Sequence, residues 1–114
     1  MQITRIAAAK PYSAAKHFNM LGLRLQGLEA SEAKQVWVGL SHFLPGGGAE
    51  RDGSQAEKVY VVVSGEVTIV TDTGTHTLGP LDSCYLAPGE NRAIENRTNL
   101  PASMLVVIPT PVKA

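Results

Sequence analysis

Apolar residues alternate with polar or small ones along several short stretches of the chain. In Leu21–Glu29, Leu21, Leu23 and Leu25 share one face, and Gly22, Arg24 and Gln26 the other. A period of two predicts a strand. Gln35–Leu44 divides the same way, with Val36, Val38, Leu40 and His42 opposite Trp37, Gly39, Ser41 and Phe43. The first of these faces is expected to look toward the core, carrying His42 inward. Lys58–Val70, "KVYVVVSGEVTIV", predicts two strands about a turn at Ser64-Gly65, and Ala102–Pro109 predicts a closing strand. "THTLGP" (75–80) and "DSCYLAP" (82–88) are weaker strand candidates. Turn signals separate these stretches: "PGGG" at 45–48, "SGE" at 64–66, "DTGT" at 72–75, "PGEN" at 88–91 and "RTNLP" at 97–101. Short strands between evenly spaced turns predict an all-β antiparallel sandwich or barrel. Helix signals are few. Ser13–Leu21 is expected to form one or two helical turns capped by Ser13, and Ala30–Lys34 a hairpin loop.

Length and composition narrow the picture. The chain has 114 residues, enough for one domain, and 44% hydrophobic residues, enough to bury a core. Ten basic residues balance ten acidic ones. That balance argues against a nucleic-acid stripe or a membrane-surface patch. Cys84 is the one cysteine, which excludes an intrachain disulfide and a CxxC motif. The start lacks the apolar core of a signal peptide, and no apolar run reaches membrane-spanning length, so a cytoplasmic protein is expected. "PGGG" lacks the spacing of a phosphate loop and opens no helix. It is expected to be a strand-to-loop corner that needs positive φ.

The order of strand, "PGGG", polar loop, "EKVYVVVSGEV" and "TGTHTLGPLDSCYLAPGENRAIEN" resembles the cupin family. The usual first motif of that family is G-x5-H-x-H-x(3,4)-E-x6-G. Gly65 takes its final glycine, Lys58 stands at the glutamate, and Asp52 and Ser54 stand at the two histidines. The second motif is G-x5-P-x-G-x2-H-x3-N. Ala87-Pro88-Gly89 stands for P-x-G, Arg92 for the histidine and Asn96 for the asparagine, while Leu81 replaces the opening glycine. The resemblance runs from about Val36 to Ile108. It implies a single cupin domain over residues 1–114, with an N-terminal segment (1–20) and a barrel core (36–108). The implied fold is a double-stranded β-helix, or jelly-roll barrel. It also implies a homodimer, with Trp37 and Phe43 as candidate contacts.

The family's metal ligands have not carried over. Lys58 and Arg92 are cations that offer only donors, so no metal and no other cofactor is expected. A cavity holding both cations favours a small anion: Arg92 would grip a carboxylate by its fork, and Lys58 would add a point charge or, if buried, an amine nucleophile. Asp52, Ser54 and Asn96 complete the candidate ligand-binding set. Lys58, Tyr60 and His42 form the candidate catalytic set, with Tyr60 or His42 moving a proton. Strand alternation places Tyr60 and Val62 inward with Lys58, and Ile94 and Asn96 inward with Arg92. His17 and His76 are expected outside the site. The leading expectation is a metal-independent isomerase, lyase or decarboxylase, or a binder, for a small organic acid. Two others stand beside it. One is a non-catalytic small-molecule-binding or dimerising accessory module; a separate, purely structural reading pairs Lys58 and Arg92 with Asp52, Glu57 or Glu95 at the barrel mouth. The other is a metal cupin with unusual ligands such as His42, Asp52 and Glu57.

Overall fold

A computed structural model describes residues 1–110. After a 3-10 turn at Ile6–Ala8 come, among the described residues, nine strands: β1 (Lys10–Tyr12), β2 (His17–Gln26), β3 (Val36–Asp52), β4 (Lys58–Ser64), β5 (Val67–Thr71), β6 (Gly74–Leu78), β7 (Ser83–Leu86), β8 (Arg92–Glu95) and β9 (Ala102–Pro109). All pairings are antiparallel, in the order β6-β5-β8-β3-β9-β4-β7, with β2 also on β3 and β1 on β2. The protein is all-β, and its sheet curls into the nearly closed barrel of the jelly-roll type.

The long strand β3 makes the curl. Its first part, Val36–Phe43, pairs with β9, and its last part, Gly48–Asp52, pairs with β8. One strand thus belongs to both walls, and "PGGG" is the bend between them. The strand continues through that run, where a strand-to-loop corner was expected. Gly46 supplies the positive φ, 80°. Gly48 is needed for space, because a Cβ there would run into the Ile94 carbonyl oxygen. Gly65, at φ 75°, closes the β4–β5 turn, as the "SGE" signal predicts.

Alternation then places the core. Tyr60 and Val62 of β4, Ile94 of β8, and Met104 and Val106 of β9 point between the walls and are buried, together with Phe43 of β3. Asn96 is buried at the end of this core, where its side-chain amide donates to the carbonyls of Phe43 (3.1 Å) and Leu100 (2.8 Å).

Three expectations are corrected. Ser13–Leu21 forms no helix: Lys16 and Asn19 have φ of 62° and 47°, outside the helical region, and β2 begins at His17. The faces of β3 are reversed, so that Trp37, Gly39, Ser41 and Phe43 face the interior. His42 therefore points outward, where its ring bonds the Ser103 hydroxyl at 2.7 Å. Phe43, 1% exposed, is part of the core and is no dimer contact.

Candidate functional site

The barrel keeps a cavity of about 260 Å³ between its walls. Met104, Val106 and Ile108 of β9 and Ile94 of β8 form its apolar floor. Polar groups reach it from five strands: Lys58 and Tyr60 from β4, Arg92 from β8, Arg24 and His17 from β2, Ser41 from β3, and Tyr12 from β1.

Arg92 and Tyr60 are joined across the interior. Their strands are not paired with each other, yet Arg92 Nε donates to the Tyr60 hydroxyl at 2.9 Å, and Nη1 donates to the Glu50 carbonyl at 3.2 Å. The two cations therefore stand on strands that do not pair with each other, β4 and β8. Arg92 is 5% exposed. Among the described residues, neither Arg92 nor Lys58 forms an ion pair. The carboxylates expected to pair with them are held by other cations: Asp52, the register partner of Arg92, bridges to Lys16 at 3.5 Å, and Glu95 pairs with Arg97. Burial, and then the nearby Arg92 charge, push the Lys58 amine below its usual range, and the Asp52 carboxylate opposes them. Burial pushes the Tyr60 phenol up, so it keeps its proton.

The aromatic end is built differently. The Arg24 guanidinium lies 4.0 Å from the Tyr12 ring centroid and 4.4 Å from that of Trp37. It also donates from Nε to Glu29 at 3.1 Å, so its charge is compensated. The Tyr12 hydroxyl sits over Gly39, where a Cβ would lie 2.6 Å away. That glycine is the sequence signal for this contact.

His17 also lines the cavity, contrary to expectation. Its Nδ1 lies 2.8 Å from the Ala15 carbonyl oxygen. The ring reaches the cavity because β2 follows β3 round its bend, pairing His17 with Ala49. The rest of the proposed ligand set lies elsewhere. His42 is outside, and Asn96 belongs to the turn that packs against Phe43 and Leu100. Asp52 and Ser54 are not among the cavity-lining residues. The Ser54 hydroxyl donates to the Ala56 carbonyl at 3.2 Å.

The donor set does not suit a metal ion. Among the described residues no three His, Cys, Asp or Glu side chains converge, and the family's ligand positions hold two cations, Asp52 and Ser54. An antiparallel barrel of this strand order, with a cavity between its walls, defines the double-stranded β-helix class. The family model for the cupin domain matches residues 39–108, and the chain belongs to that family. A Mycobacterium tuberculosis protein named beta-D-galactosidase is 45% identical over 112 residues, covering 98% of this chain and 97% of its own. The polyketide cyclase RemF of Streptomyces resistomycificus superposes with a TM-score of 0.88 at 18% identity, over 97% of this chain and 80% of its own. A cupin sugar phosphate isomerase of Silicibacter pomeroyi superposes with a TM-score of 0.79 at 24% identity, over 94% and 74%.

Proposed function

We propose that the cavity binds a small organic anion, a carboxylate or phosphate of about sugar size, between Arg92 and Lys58. In this reading it acts as a metal-independent enzyme of the isomerase, lyase or decarboxylase kind. The observation that carries the proposal is Arg92: a guanidinium 5% exposed, held by two neutral oxygens and, among the described residues, in no ion pair. A buried cation without a counter-ion is costly, and an anionic ligand removes that cost. Lys58 adds a second cation that, among the described residues, forms no ion pair. Trp37 and Tyr12 offer apolar surface for the body of the ligand. The names of two similar proteins, a galactosidase and a sugar phosphate isomerase, fit a ligand of this size.

The test is a thermal-shift and calorimetric screen of small carboxylates and sugar phosphates on the wild type, Arg92→Met and Lys58→Met. A true ligand raises the melting temperature by mass action. Removing either cation is expected to weaken binding at least about tenfold, the worth of one charge-assisted hydrogen bond. Full binding by both variants would sink the reading.

The 45% identical relative favours a second reading, glycoside hydrolysis. Most glycosidases need two carboxyl groups flanking the bond. No Asp or Glu lines this cavity among the described residues. Release of nitrophenol from a nitrophenyl β-D-galactoside, abolished by Tyr60→Phe, would replace the anion reading with this one.

A further inference from the structure

We infer that His17 and Tyr60 form an acid–base pair in this cavity that shifts a proton between adjacent carbons of a bound hydroxycarbonyl anion. The inference rests on the anion site of Arg92 and Lys58 and names the reaction class for it.

The hydrogen bonds assign the roles. A carbonyl oxygen only accepts, so the 2.8 Å contact with Ala15 requires the proton on His17 Nδ1. Nε2 then carries the lone pair. Tyr60 accepts from Arg92 Nε at 2.9 Å, which leaves its own O–H free to donate. One cavity wall thus offers a base and the other an acid. Their surroundings push the two groups in opposite directions, the pattern that marks an acid–base pair. Burial lowers His17, and the Arg92 and Lys58 charges add to this, while the Ala15 bond and the Asp52 carboxylate oppose it. Arg24 shares the cavity, with its charge answered by Glu29. Burial raises Tyr60.

The chemistry balances within the ligand. His17 Nε2 takes the proton from the carbon next to the carbonyl, and that bonding pair becomes a carbon–carbon double bond. The carbonyl electron pair moves onto oxygen, which takes the Tyr60 proton. Arg92 Nε stabilises the phenolate that forms. The adjacent hydroxyl returns a proton to Tyr60 as its oxygen becomes the new carbonyl. His17 then returns its proton to the former carbonyl carbon. No atom is gained or lost and no oxidant is needed. The carboxylate or phosphate stays on Lys58 and Arg92 throughout.

The experiment uses the full chain in D2O with two probes, dihydroxyacetone phosphate and hydroxypyruvate. Proton NMR follows loss of the exchangeable C–H signal, and calorimetry measures binding separately. Wild-type protein is expected to exchange at least one probe. His17→Gln should bind that probe but exchange it at least about a hundredfold more slowly, the lower range for a lost general base. It should also lose the acid-side fall in rate that protonation of His17 causes. Tyr60→Phe gives an independent reading should His17→Gln fail to fold, and it too should lose exchange. Binding without exchange in the wild type overturns the acid–base pair and leaves the anion site standing. Unchanged exchange in His17→Gln or Tyr60→Phe also overturns it. Failure of both probes to bind overturns the pair and counts against the anion site.

Discussion

Lys58 shows how a residue can be costly to the fold and useful to a site. Its amine shares the cavity with Arg92, and burial and that charge hold it below its usual range. In the free protein the two cations repel each other, and the Asp52 carboxylate offsets that repulsion only in part. Lys58→Met is therefore expected to raise the melting temperature in the absence of ligand. The lysine is partly exposed, so screening limits the gain to roughly half a kcal/mol, or about 2–4 °C for a domain of this size. The same variant should bind anions more weakly. A melting temperature that falls would mean that Lys58 has a stabilising partner. This opposition of stability and binding separates a ligand-holding lysine from one that merely completes an ion pair.

At the scale of the element, the inward faces of β4 and β8 were legible in the sequence, and those of β2 and β3 were not. On β4, Lys58, Tyr60 and Val62 alternate with residues that face out, and the motif spacing brings Arg92 of β8 into the same cavity. On β3 both faces are apolar, Val36, Val38 and Leu40 against Trp37 and Phe43, so alternation defines two faces without saying which is buried. Gly39 carried the missing signal, since Tyr12 crosses directly over it. His17 was hidden for another reason. Its place depends on how β2 follows the bend of β3, through positive φ at Lys16 and Asn19. That is a tertiary fact with no local period. The bend yields its own prediction. Gly48→Ala should cost about 3 kcal/mol or more, because its Cβ would collide with the backbone oxygen of Ile94, which cannot move aside without disturbing β8. Gly46→Ala has nothing within 4 Å and should cost only about 1–2 kcal/mol for its positive φ. Chemical denaturation of both variants compares steric need with conformational need, and equal losses would refute the distinction.

For the whole molecule, charge and apolar surface are arranged in an unusual way. The formal net charge is zero, yet the cavity holds Lys58 and Arg92 without an ion pair among the described residues, and one outer wall carries two apolar rows. Register runs Leu23, Leu40, Leu105 and Val61 straight across β2, β3, β9 and β4 on that outer face. A second row, Val38, Val107, Val59 and Tyr85, crosses β3, β9, β4 and β7. Tyr85 is 56% exposed, and neither row contains a charged side chain. Eight apolar residues spread over adjacent strands exceed the scattered apolar positions normal on a soluble surface. Two copies of this wall placed face to face bring no like charges together, so a homodimer through it is expected. The contact residues differ from those expected at first, since Phe43 is core and Trp37 lines the cavity. Sedimentation of the wild type at micromolar concentration should give twice the chain mass. Leu40→Glu, at the centre of the first row, should give the chain mass while keeping anion binding, because its side chain faces away from the cavity. A wild-type monomer would refute the dimer, and a dimeric Leu40→Glu would move the interface to another surface. Loss of anion binding in a folded, monomeric Leu40→Glu would instead mean that pairing shapes the cavity from outside.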